Sequence, residues 1–131
     1  MAEHNLLGKI GEEAACRYLT QLEWRLLHRN WRCGHWEVDI IADDFGELVF
    51  VEVKTRSDEN FMEAFNTIKL EKKEHLLSAA KAYMSYFHLD QPFRFDIVTV
   101  VGKTPPFTIT LYENAFTPQG VMEERRKKII P

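Results

Sequence analysis

Asp39, Glu52 and Lys54 are the residues of this chain whose types and spacing best suit chemistry. They lie in two β-rich runs, Trp36–Ala42 (WEVDIIA) and Glu47–Lys54 (ELVFVEVK), separated by Asp43-Asp44-Phe45-Gly46. That composition and spacing predict a β-hairpin. Side chains alternate faces along a strand, so Glu37 and Asp39 share one face, and Glu52 and Lys54 share one face. A turn centred on Phe45-Gly46 makes the pairing sum odd and sets Asp39 opposite Glu52, with all four residues on one side; a slip by one residue separates them. Two carboxylates at ~4 Å and an effective dielectric near 20 repel by about 4 kcal/mol. Three remedies exist: one acid takes up a proton, a lysine intervenes, or a divalent cation binds. Lys54 is placed for the second, and apolar Val38, Ile40, Val49, Phe50, Val51 and Val53 make the surroundings semi-buried. Glu-x-Lys alone is a weak signal, matched also by Glu71-Lys72-Lys73 on a helical stretch, where it carries no meaning. The residues alone leave a solvated strand face and a cation site equally open.

The elements that must position these groups are readable from periodicity. Residues 4–22 form an amphipathic helix with the stripe Leu7, Ile10, Ala14, Tyr18 and Leu22, and Glu12 at its edge. Gly8 and Gly11 weaken that helix, which predicts a close approach there. Residues 24–33 admit a short strand near 25–30 that ends in a loop. Residues 61–88 read as a second helix with Phe65, Ile68, Leu76, Ala79, Ala80, Tyr83 and Phe87 on one side, followed by strands at Phe93–Val101 and Phe107–Glu113. The order α-β-β-α-β-β predicts an α/β domain, a mixed sheet flanked by helices, over 1–118, with 119–131 a short helix or tail.

Bulk properties narrow the class. At 131 residues there is room for one domain, and 45% hydrophobic with 28% charged residues argues against disorder. No run approaches the ~18 apolar residues of a membrane span, and acidic residues come too early for a signal peptide. Cys16 and Cys33 lack a CxxC or His-spaced partner and read as reduced thiols, so a cytoplasmic protein is expected. The net charge of −3 is unlike that of a dedicated nucleic-acid binder, so any phosphate contacts must come from local clusters. Lys54, Arg56, Lys69, Lys72 and Lys73 form one, and Arg25, Arg29 and Arg32 another. Lys72 and Lys73 read first as a solvated helix face. Trp24, Trp31 and Trp36 read first as packing residues and second as base-stacking groups; His35 reads first as a surface histidine.

Gly11-Glu12, Asn30-Trp31-Arg32, WEVDIIA and LVFVEVKTR (Leu48–Arg56), with Lys69 and Arg94-Phe95-Asp96, resemble the YraN-like family of bacterial proteins. That family is similar to archaeal Holliday junction resolvases and the wider PD-(D/E)XK nucleases. The resemblance, from about Gly8 to Val101, implies a restriction-endonuclease-like core and a Mg²⁺- or Mn²⁺-dependent endonuclease acting on DNA, branched DNA included. It makes Asp39, Glu52 and Glu12 metal ligands, with Glu37 a further ligand or a supporting group. Lys54 becomes the residue that orients or activates the attacking water, and a homodimer is a plausible arrangement for cutting two strands. Phosphate contacts are expected from Arg32, Arg56 and Lys69. The chain departs from the pattern at Val38, where the superfamily motif has proline, at Trp36, where glycine is usual, and at Phe61-Met62, where Phe-Gly is usual. Two other classes stay open: a nucleic-acid-binding module that keeps the fold but does not cut, and a protein-interaction domain.

Overall fold

The computed structural model describes residues 2–57 and 68–129. The elements are α1 (Ala2–Gln21), β1 (Arg25–Cys33), β2 (Trp36–Asp44), β3 (Glu47–Arg56), α2 (Leu70–Tyr86), β4 (Phe93–Val101), β5 (Thr108–Phe116) and α3 (Pro118–Ile129). The five strands form one sheet in the order β1-β2-β3-β4-β5. β3 and β4 are parallel and the other neighbours antiparallel, the mixed α/β sheet that the element pattern predicts.

The sheet is covered on both faces. Ala15, Leu19, Ile40, Val49, Val51 and Val98 pack with α1. Val38, Ile41, Phe50, Leu76, Tyr83 and Phe95 form a second core beneath α2 and α3. Burial on both faces explains the unbroken apolar run Leu48–Val51 of β3, the central strand. At the far end of the sheet Arg94 ties four strands together, pairing with Asp44, Glu47, Asp96 and Glu113 and lying 5.2 Å from the ring centroid of Trp24.

Three expectations change, and for the C-terminal stretch the structure decides between two. The stretch before the hairpin is a full nine-residue strand, so the order is α-β-β-β-α-β-β-α. Its alternation is hidden by a bulge between Leu26 and His28 and by the left-handed backbone of Asn30 (φ 51°). The buried stripe of α1 is Gly11, Ala15, Cys16 and Leu19, rotated from the predicted one, while Ile10 and Leu22 are exposed. Small residues win this position because they let the helix backbone sit close to the sheet. A Cβ on Gly11 would collide with the side chain of Thr55 on β3, whereas Gly8 has open space around it. The second helix begins at Leu70; Phe61, Met62 and Phe65 lie outside the described residues. The C-terminal stretch is a helix anchored by buried Val121 and by ion pairs Lys73–Glu124 and Arg125–Glu74.

Candidate functional site

The β2–β3 hairpin turns through Phe45 (φ 50°) and Gly46 (φ 103°), the two positive values that a tight two-residue turn requires. Asp43 Oδ1 accepts a hydrogen bond from Gly46 N at 3.0 Å and steadies it. From this turn the ladder runs from Asp44↔Glu47 to Ile40↔Val51, the odd register that brings Asp39 to Glu52. There the backbone pairing gives way: Val53 N–H donates to Asp39 Oδ2 at 2.8 Å, so a carboxylate occupies the place of a ladder carbonyl.

The slip at Asp39 spans two strands. Arg29 pairs with Ile40 in the sheet and its side chain reaches Glu13 of α1. Trp31 pairs with Val38, and its ring meets Tyr83 of α2 edge-on at 5.2 Å. Side chains on either side of the Asn30–Asp39 position therefore point to opposite faces of the sheet. Glu37 consequently turns to the α1 side. It lies with Glu12, Arg29, Asn30 and Arg32 around a depression of about 550 Å³. The expectation that Glu37 shares a face with Asp39 fails because strict alternation is broken between them.

Glu52 and Lys54 face α2 and line a cleft of about 350 Å³ with Lys69, Lys72 and His75. Glu52 is only 4% exposed, and its Oε1 is buried without a hydrogen-bond partner among the described residues. Lys54 Nζ stands 3.5 Å from Oε2 and Lys72 Nζ 3.8 Å from Oε1. Burial, then the charge of Asp39, pushes the Glu52 carboxyl up to about 7 against the pull of Lys72 and Lys54. Asp39 is also raised, chiefly by burial, with the Val53 N–H and a hydrogen bond from Glu52 opposing the rise. Burial thus favours a proton on the pair when no cation is bound, at Glu52 first. Glu12 is raised by burial and by Asp39, while a hydrogen bond from Asn30 lowers it.

A family model described as "Uncharacterised protein family UPF0102" matches residues 11–100. A UPF0102 protein of Bacteroides fragilis is 50% identical over 118 residues, which cover 90% of this chain and 98% of the relative. One of Bacteroides thetaiotaomicron is 49% identical with the same coverage, and one of Flavobacterium johnsoniae is 41% identical over 88% of this chain and 98% of its own. The chain belongs to the UPF0102 family. This is the YraN-like family that the motifs resemble. The UPF0102 match begins at Gly11 and ends at Val100, so it contains the whole cleft and leaves α3 outside.

Within this UPF0102 fold the predicted residues divide into groups. Asp39, Glu52 and Lys54 come together; Glu12 and Glu37 meet in a separate depression on the α1 side. Among the described residues no three His, Cys, Asp or Glu side chains converge as a ready-made metal-ligand group. The donor chemistry still fits a hard cation: a buried carboxylate oxygen lacks a hydrogen-bond partner beside a second acid, and magnesium needs few protein ligands because it retains waters. Lys69 caps α2 in extended conformation and borders the cleft. Arg32 is held by Glu37 at 3.0 Å, and Arg56 turns back onto the carbonyl of Thr55 at 2.8 Å. Trp24 is a core residue. The residue missed is Lys72. Its signal was phase: Lys72, Leu76, Ala80 and Tyr83 follow one helical stripe, so this lysine continues the buried face instead of the solvated one.

Proposed function

We propose that this chain is a divalent-cation-dependent nuclease that hydrolyses DNA phosphodiester bonds on a restriction-endonuclease-like core. The observation that carries the reading is Glu52: a buried carboxylate with an orphaned oxygen, beside Asp39 and between two lysines. A buried pair of acids is costly unless it serves a ligand. The arrangement of an antiparallel hairpin whose second strand continues into a parallel partner is consistent with that core.

Asp39 and Glu52 would hold the cation; Glu12, whose carboxyl feels the charge of Asp39, is the third ligand of the reading, whereas Glu37 turns to the other face and would act only from a distance. A bound Mg²⁺ or Mn²⁺ supplies Lewis acidity toward a phosphate oxygen and a water of lowered pKa. The protein's own groups do the rest. Asp39 is oriented by Val53 N–H, so its carboxylate is positioned before any ligand arrives. Lys54 places positive charge 3.5 Å from Glu52, where it stabilises charge that develops on the phosphate. Lys72 lies across the cleft and neutralises Glu52 until a cation displaces it. Lys69, Arg32 and Arg56 are the phosphate contacts of the reading, which offset the overall negative charge locally. Branched DNA as the preferred substrate, a homodimer as the cutting form and a cytoplasmic location belong to the same proposal.

The test incubates linear, branched and single-stranded DNA with purified protein and Mn²⁺, beside Asp39→Asn and Lys54→Ala. Metal-dependent cutting lost in both variants supports the nuclease; cutting that persists in both rules this site out. The second reading is a binding module without cleavage. The raised carboxyls of Asp39 and Glu52 favour it, since a proton on the pair relieves their repulsion without a metal. It predicts DNA binding but no cutting of any substrate. A protein-interaction domain would show neither DNA binding nor heat on titration with Mg²⁺ or Mn²⁺.

A further inference from the structure

A groove of about 550 Å³ runs between the end of β1 and the C-terminal half of α2, lined by Trp31, Arg32, Cys33, Ala82, Ser85 and Tyr86. Tyr86 is 74% exposed, unusual for a large ring at the mouth of a groove. It is held against Phe87 at 4.8 Å, Phe87 meets Tyr83 at 4.7 Å, and Tyr83 meets Trp31. The rings form one continuous array, so Tyr86 and Trp31 are pre-oriented. We propose that this groove is a stacking subsite for an unpaired nucleotide of a nucleic-acid strand held at the Glu52 cleft.

Three observations select that occupant, and the proposal rests on the nuclease reading above. Planar rings with an arginine beside them match a base and its phosphate better than they match an acidic or apolar peptide. β1 is the sheet edge, and its Arg25, Arg29 and Arg32 each pair at the surface with a carboxylate of another segment (Asp43, Glu13 and Glu37), weak exposed pairs that a phosphate backbone can replace. The groove also adjoins the depression on the α1 side. Arg32 borders both the groove and the depression that holds Glu12 and Glu37. α2 carries Lys72 at one end and Tyr86 at the other, about 20 Å apart along its axis at ~1.5 Å per residue. That is the reach of roughly six stacked nucleotides at ~3.4 Å each. The groove would thus favour DNA with a gap or branch several nucleotides from the bond at the cleft.

The experiment measures binding in an Asp39→Asn background, which silences cutting and removes one acid. The probes are a 2-aminopurine-labelled single strand, a duplex with a single-stranded gap, and a blunt duplex of the same sequence. Tyr86→Ala should lower affinity for the single strand and the gapped duplex by roughly five- to a hundredfold. Tyr86→Phe should retain it, and neither should alter blunt-duplex binding. Quenching of the label should vanish with Tyr86→Ala. Unchanged affinity of Tyr86→Ala for gapped DNA overturns the subsite and leaves the nuclease reading standing, as does an equal loss on blunt duplex. Altered sedimentation with unchanged DNA affinity assigns the groove to a protein partner and overturns it too. If the background protein binds none of the three DNAs, the nucleic-acid reading falls with the subsite.

Discussion

Lys72 of α2 stands 3.8 Å from Oε1 of Glu52 on β3, too far to satisfy that buried oxygen with a hydrogen bond yet near enough to compete with any cation that would. Lys72→Met should therefore separate binding from turnover. Removing the competing charge should tighten Mn²⁺ binding in calorimetry, while loss of positive charge over the cleft should slow DNA cleavage by about a hundredfold or more. Weaker Mn²⁺ binding in this variant would contradict the competition.

The raised carboxyl of Glu52 makes a pH prediction. Its folded-state value of about 7 lies above the ordinary 4.5, so the folded protein binds more protons than the unfolded chain between those values. Stability of the metal-free protein is then greatest below about pH 4.5 on account of this group and declines as pH rises to about 7, by on the order of 3 kcal/mol. Urea unfolding in EDTA at pH 5 and pH 8 should reveal the decline. Glu52→Gln, which keeps the shape and discards the charge, should remove most of it and be the more stable protein at pH 8.

Cation binding must expel the proton that Glu52 retains. At pH 7 the carboxyl is about half protonated, so Mn²⁺ binding should release about half a proton from it, and fewer at pH 8. Titrations in buffers of different ionisation enthalpy count the protons. Asp39→Asn should abolish the binding heat; full retention would place the cation elsewhere.

Gly11 tests the seating of α1 on the sheet. Gly11→Ala forces a Cβ into Thr55, one residue beyond Lys54, and should cost roughly 1–3 kcal/mol in denaturant unfolding despite the better helix propensity of alanine. Adding Thr55→Ala should recover part of that loss, because Thr55 Oγ1 and Cγ2 are two of the three atoms in the way. No recovery would mean that the helix, not the contact, is at fault.

The legible parts of this molecule are the local ones. Phe45-Gly46 between alternating apolar runs specifies the turn, the turn specifies the register, and the register puts Asp39 beside Glu52. Strand β4 is likewise legible to its ends, because FRFDIVTVV is a buried β run. Each of these depends on neighbours a few residues apart, so sequence spacing carries the information. The family motifs add which acids to watch, and the match over residues 11–100 bears out the resemblance.

The tertiary structure decided the rest. Asn30 and Asp39 lie on different strands, and their shared kink sends Glu37 away from the cleft and leaves Asp39 to bind Val53. Gly11 and Ala15, not the larger Ile10 and Leu22, face the sheet because close approach to Thr55 outweighs the area that a bigger side chain would bury. Lys72 reaches Glu52 only because α2 packs across β3, a contact between residues 20 positions apart in the chain. Local spacing has no access to such relationships: a periodic pattern tells which side chains share a face, and packing alone determines what that face meets.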